Sequence, residues 1–165
     1  MPTITTTPLW QATAQTFEEL ALLFPDAQLT DRQARAPFVA TAVVDFTGPM
    51  RGRLALRVSA EVLPAAAANM LGEEAGQQTP LQRDAIGELA NVICGNVLPL
   101  VGGARAVFQL TAPRVELAEI IPVREPDRTA AVHAHLLVGL ESGRAAVDLW
   151  IVDGADQLIV ALDDA

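Results

Sequence analysis

Asp84, Gly87, Glu88, Asn91 and Gly95 fall three or four residues apart inside TPLQRDAIGELANVICGNVLPLVGG, residues 79–103. On a helix that spacing puts them on one exposed stripe. The chemistry on offer is specific. A side-chain amide can donate and accept hydrogen bonds at once, which suits it to holding a water in a chosen orientation. A carboxylate one turn away can pair with a cation. Two glycines inside a helix cost roughly 1 kcal/mol each relative to alanine, and a face that only met solvent would carry Lys, Glu or Ala more cheaply. Bare positions at Gly87 and Gly95 let another surface approach the backbone, with Glu88 and Asn91 projecting into whatever arrives. The stripe reads as a probe.

The rest of the stretch has to hold that probe still. Thr79 and Gln82 have the spacing of a capping box, with Pro80 at the first helical position, where its missing N–H costs nothing. Leu81, Ala85, Ile86, Leu89, Val92, Ile93 and Val97 recur at helical spacing and describe a broad face for a core. Asn96 is expected to cap or end the helix ahead of Pro99. Cys94 is the only cysteine and reads as a small buried hydrophobe, with no internal disulfide possible.

Around this helix the chain reads as one α+β domain over residues 9–165, preceded by a flexible tail at 1–8. Trp10 to Phe24 is expected as an amphipathic helix ended by Pro25. Phe38 to Phe46 and Arg53 to Ser59 read as strands around a turn at Thr47 to Gly52, and Ser59 to Leu71 as a helix. After a short polar linker and the central helix come strand-like stretches at Ala106–Leu110, Arg114–Ile121, Ala130–Gly139 and Ala145–Val152. Arg124 to Arg128 is placed in a loop, Gln157 to Leu162 in a final edge strand, and the last three residues are expected to fray.

Two internal matches point to a duplicated unit. Thr16–Phe24 aligns with Ala85–Ile93, setting Glu19 over Glu88 and Leu22 over Asn91, and Gly48-x-x-x-Gly52-Arg53 aligns with Gly139-x-x-x-Gly143-Arg144. The expectation is a mainly antiparallel sheet of about six strands with packed helices and a pseudo-twofold internal repeat. Leu22 stands where the amide would be, so one site is expected and not two.

Composition removes other chemistries. A net charge of −9 with no basic cluster argues against nucleic acid. The chain has no lysine, which excludes a GK[ST] phosphate loop and a Schiff base. Its two serines, Ser59 and Ser142, stand in no Gly-x-Ser-x-Gly turn. His133 and His135 share one face of an expected strand, but no third ligand is evident, so no metal site is assigned. There is no run of eighteen apolar residues and no signal-peptide pattern at the start, so membrane insertion is not expected and the cytoplasm is.

At Asp84-x-x-x-Glu88-x-x-Asn91, within AIGELANVICGN, the sequence resembles the CheC, CheX and FliY phosphatases of bacterial chemotaxis, and most the CheX branch. Pro113 is the candidate for the proline that closes the family pattern; 21 residues separate it from Asn91, one fewer than the usual spacing. The resemblance implies a hydrolase that removes the aspartyl phosphate of a phosphorylated CheY-type response regulator. It also implies that the regulator supplies the Mg2+ and a lysine while this chain binds no cofactor. On that footing Asn91 positions the water, Glu88 pairs with the regulator's lysine, and Asp84, Gly87 and Gly95 meet the partner. A homodimer is implied as well. The alternatives are a non-catalytic adaptor of the same architecture, binding a response regulator or serving the flagellar switch, and a self-association protein whose glycine-bearing helix packs on its own copy.

Overall fold

The computed structural model describes residues 3–4, 6–118, 130–160 and 162–163. In chain order these form β1 (Thr3–Ile4), α1 (Thr6–Thr16), a π-helical turn (Phe17–Ala21), β2 (Pro25–Asp26), α2 (Asp31–Arg35), β3 (Phe38–Thr47) and β4 (Arg51–Ser59). There follow α3 (Val62–Leu71), a 3-10 turn (Glu73–Gln77), α4 (Thr79–Gly102), β5 (Gln109–Leu110), β6 (Arg114–Leu117), β7 (Val132–Leu140), β8 (Gly143–Asp153), a 3-10 turn (Ala155–Gln157) and β9 (Leu162–Asp163). The expected loop at Arg124–Arg128 and the end of the strand expected to Ile121 lie outside the described residues.

Alternation builds the sheet. Ala40, Ala42, Val44 and Phe46 on β3, Leu54, Leu56 and Val58 on β4, and Ala145, Val147, Leu149 and Ile151 on β8 point to one face and are buried there. The strands lie in the order β2-β7-β8-β4-β3-β5, with β6 also paired to β3, all antiparallel. Helices α1, α3 and α4 cover the buried face. Small residues at Ala40 and Ala42 make room for α4, whose Ile86, Leu89, Ile93 and Val97 are fully buried in the same core. By length and composition α4 could also cross a membrane, with a mean hydropathy of 1.4. Its burial between the sheet and two helices accounts for that apolarity.

The internal repeat is visible in the register. The offset that carries Gly48 onto Gly139 carries Leu56 onto Val147, and these two residues face each other in the central β4–β8 ladder. A pseudo-twofold axis through that pair relates the β3–β4 hairpin to the β7–β8 hairpin.

Several boundaries differ from the sequence reading for physical reasons. Helix α1 begins at Thr6, inside the stretch expected as a tail, because Pro8 in a first turn forfeits no hydrogen bond. It widens at Phe17–Ala21, just after Thr16 Oγ1 donates back to the Ala12 carbonyl at 2.7 Å, a bond that bends helices. Leu22 then leaves the helix with φ 52°. No capping box forms at Thr79: Gln78 is the N-cap, and Gln82 Nε2 donates instead to the Gly76 carbonyl at 2.8 Å. Residues 106–108 stay out of the sheet and only Gln109–Leu110 pair. Of the strand expected at Gln157–Leu162, Gln157 ends a 3-10 turn, residues 158–160 are irregular, with the Ile159 N–H donating to the Val101 carbonyl at 2.9 Å, and Leu162 pairs with Ile4 in β9.

Candidate active site

Helix α4 runs through Pro99 to Gly102. The proline's missing N–H would have bonded the Gly95 carbonyl four residues back. Nothing lies within 4 Å of the place where a Cβ on Gly95 would stand, so water can reach that backbone and the break is tolerated. Asn96 does not end the helix. Its Nδ2 donates to Thr16 Oγ1 at 3.1 Å and ties α4 to α1.

The exposed stripe is where the spacing put it. Asp84 and Glu88 are exposed and Asn91 is half-buried, one turn beyond Glu88. Among the described residues none of the three makes a side-chain hydrogen bond or ion pair. The residues beneath them, Ile86, Leu89, Ala90 and Ile93, are fully buried. The arrangement is a carboxylate and an amide held without partners on a rigid support.

The two glycines turn out to be unlike. Gly87 is buried, and a Cβ there would stand 3.2 Å from Pro113 Cγ and 3.4 Å from Val115 Cγ2. The surface that Gly87 admits is therefore the chain's own β6 side. Gly95 alone faces open space. Pro113, found by motif in the sequence, thus stands beside the site, and a groove of about 420 Å³ runs along it, lined by Arg83, Asp84, Gly87, Glu88, Pro113 and Val115. Arg83 was not singled out in the sequence; its Nη2 donates to the Val115 carbonyl at 2.6 Å. No local pattern announces such a bond, because it depends on where β6 pairs.

Among the described residues, the first copy does not present the amide of the stripe. Leu22, aligned with Asn91, is 58% exposed at a helix end with left-handed backbone, so neither its chemistry nor its geometry matches.

Cys94 is fully buried, and burial, with a smaller contribution from Asp45, pushes its thiol up to about 12, so it is no nucleophile. His133 and His135 lie on the sheet face away from the helices. His133 Nε2 and His135 Nδ1 each contact Asp148 Oδ1 at 2.8 Å, and Arg57 Nη2 lies 3.4 Å from Oδ2. Burial works to raise the pKa of Asp148, but the bonds from His135 and His133 and the charge of Arg57 outweigh it and hold the carboxyl below its usual range. The pair of histidines is spent on a structural carboxylate.

A curled antiparallel sheet with helices packed on one face defines the class, that of the chemotaxis phosphatase fold. The chain belongs to the family described as chemotaxis phosphatase CheX, which it matches over residues 40–136, more than half its length and the whole of the stripe. A CheX from Desulfovibrio desulfuricans is similar, with 19% identity, a TM-score of 0.72, and coverage of 88% of this chain and 97% of that one. A putative chemotaxis protein from Desulfovibrio vulgaris Hildenborough has 20% identity and a TM-score of 0.73, covering 88% and 95%. The CheX-CheY-BeF3-Mg+2 complex from Borrelia burgdorferi gives 14% identity and a TM-score of 0.59, covering 88% and 96%. At these identities the likeness is one of fold. No curated protein sequence matches this chain.

Proposed function

We propose that this protein hydrolyses the aspartyl phosphate of a CheY-type response regulator, with α4 entering the regulator's active site. The observation that carries the reading is the pair Glu88 and Asn91, both without side-chain partners among the described residues, on a helix whose opposite face is locked in the core. Family membership supports the phosphatase activity, and the Borrelia complex supports a CheY-type partner.

The regulator would bring the phosphoryl group, a Mg2+ ion and a lysine, so this chain needs no cofactor of its own. What remains is to align a water with phosphorus, opposite the aspartyl oxygen that leaves. The Asn91 amide can accept one water hydrogen and donate to a neighbouring acceptor without acting as a base. Orientation of this kind contributes several kcal/mol in general. Glu88 belongs away from the phosphoryl oxygens, because two anions in a water-poor site repel; its natural partner is the regulator's lysine. Asp84 at the edge and open Gly95 complete the contact surface. We place the reaction in the cytoplasm, where such regulators act, and infer a homodimer.

The test is phosphate release from a panel of purified, phosphorylated response regulators of the same organism. Wild-type protein should accelerate release from at least one. Asn91→Ala should lose about 10²-fold or more of that acceleration, each factor of ten being about 1.4 kcal/mol of barrier, while still binding. Glu88→Ala should weaken both binding and turnover. A fully active Asn91→Ala protein would overturn the mechanism. Binding by the wild type without release would make the protein an adaptor.

A further inference from the structure

Strand β6 is held to the catalytic helix by a bond that edge strands ordinarily lack. The Ala118 N–H donates to the Val39 carbonyl at 2.9 Å, and the register sets Thr41 opposite Glu116 and Ala42 opposite Val115. Antiparallel pairs alternate between those that exchange hydrogen bonds and those that do not. Counting from Val39, Thr41 and Glu116 exchange bonds and Ala42 and Val115 do not. The N–H and carbonyl of Val115 therefore point outward, along the rim. An outward carbonyl is ordinarily left to water or to another chain. Here Arg83 takes it, at 2.6 Å.

A second contact lies one helical turn along α4. Gly87, four residues after Arg83, lets Pro113 settle against the helix. A polar tie and a steric fit thus fasten β6 and the residues before it along α4, and the groove beside Glu88 opens between them.

We propose that Arg83 is a positioning residue for regulator docking: it clamps β6 to α4 and thereby fixes the wall, Pro113 and Val115, against which the partner seats beside Glu88. The docking half of this inference rests on the phosphatase reading above; the clamp does not. Glu88 and Asn91 themselves are held by the buried face of α4, at Ile86, Leu89, Ala90 and Ile93. Loss of Arg83 leaves them in place and loosens only the wall. The signature is a change in KM with kcat preserved.

Two measurements on the full chain test it, with wild type, Arg83→Ala and Arg83→Lys. Amide hydrogen exchange on the free protein should be faster at Glu116 and Ala118 in Arg83→Ala and at least partly restored in Arg83→Lys, which keeps one donor within reach. In steady-state hydrolysis of the phosphorylated regulator found by the panel, Arg83→Ala should raise KM about three- to tenfold, the range expected for one net hydrogen bond. The kcat should stay within about twofold and Arg83→Lys should bring KM back toward wild type. Unchanged exchange overturns the clamp. Faster exchange with unchanged KM overturns the docking role. Wild-type protein inactive on every regulator overturns the phosphatase reading and the docking role with it, and the exchange measurement alone then decides the clamp.

Discussion

Gly87 and Gly95 looked equivalent as letters and are opposites as positions. A methyl group added at Gly95 meets nothing within 4 Å, whereas one at Gly87 presses on Pro113. Gly95→Ala should therefore recover the helix propensity that glycine forfeits, about 0.5–1 kcal/mol of stability, while Gly87→Ala recovers less or none. Chemical denaturation of the two variants beside wild type checks this; equal stabilisation would mean that Pro113 gives way freely. If Gly95 meets the regulator, the more stable Gly95→Ala protein is also the weaker binder. Stability and function then part company at one residue. The stripe itself was legible, because residues three and four apart on a helix are neighbours whatever the rest of the chain does. The use of Gly87 by the chain's own Pro113 was not, since 25 residues separate the two positions and only the fold brings them together.

At the scale of elements, α4 is the piece to which the others are fitted. It packs on α1, on α3 and on the buried faces of β3 and β4, and it receives β6 along its exposed flank. Leu89 is fully buried at the middle of this packing, so Leu89→Ala should cost about 2–5 kcal/mol in a denaturant melt. A loss below 1 kcal/mol would mean that the core collapses around the gap. The helix, the β3–β4 and β7–β8 hairpins and α3 could all be read from periodicity and turn residues. The ends of elements could not. Its position before Pro99 marks Asn96 as a terminator, yet its partner is Thr16, 80 residues earlier. The pairing of β2 has two residues, too few for any pattern, and of the strand expected at Ala106–Leu110 only the last two residues pair.

For the whole molecule, two acidic residues on the sheet's outer face contribute to how the protein meets low pH. Burial tends to raise the pKa of Asp45, but hydrogen bonds from Arg53 at 2.7 Å and from Arg114 outweigh it and lower the value, as His135, His133 and Arg57 do for Asp148. A carboxyl lowered in the folded state contributes stability that is fully present above its unfolded value and lost as pH falls through the folded one. Both therefore favour the fold above about pH 4, the ordinary carboxylate range, and fail it below. Asp148→Asn should show a flatter fall of unfolding free energy between about pH 5 and 2 than wild type, measured by urea melts across that range. An unchanged slope would assign the acid sensitivity elsewhere. None of this was visible from His133 and His135 alone, because Asp148 joins them only through the β7–β8 register. The same register logic governs the centre of the sheet, where Leu56 meets Val147, its own counterpart in the repeat. The ladder that holds the two halves together is thus a meeting of near copies. A chain made of one half alone would end in a naked central strand, with a row of unpaired N–H and carbonyl groups open to a second molecule, so the joined protein has the geometry of a symmetric pair written into one polypeptide.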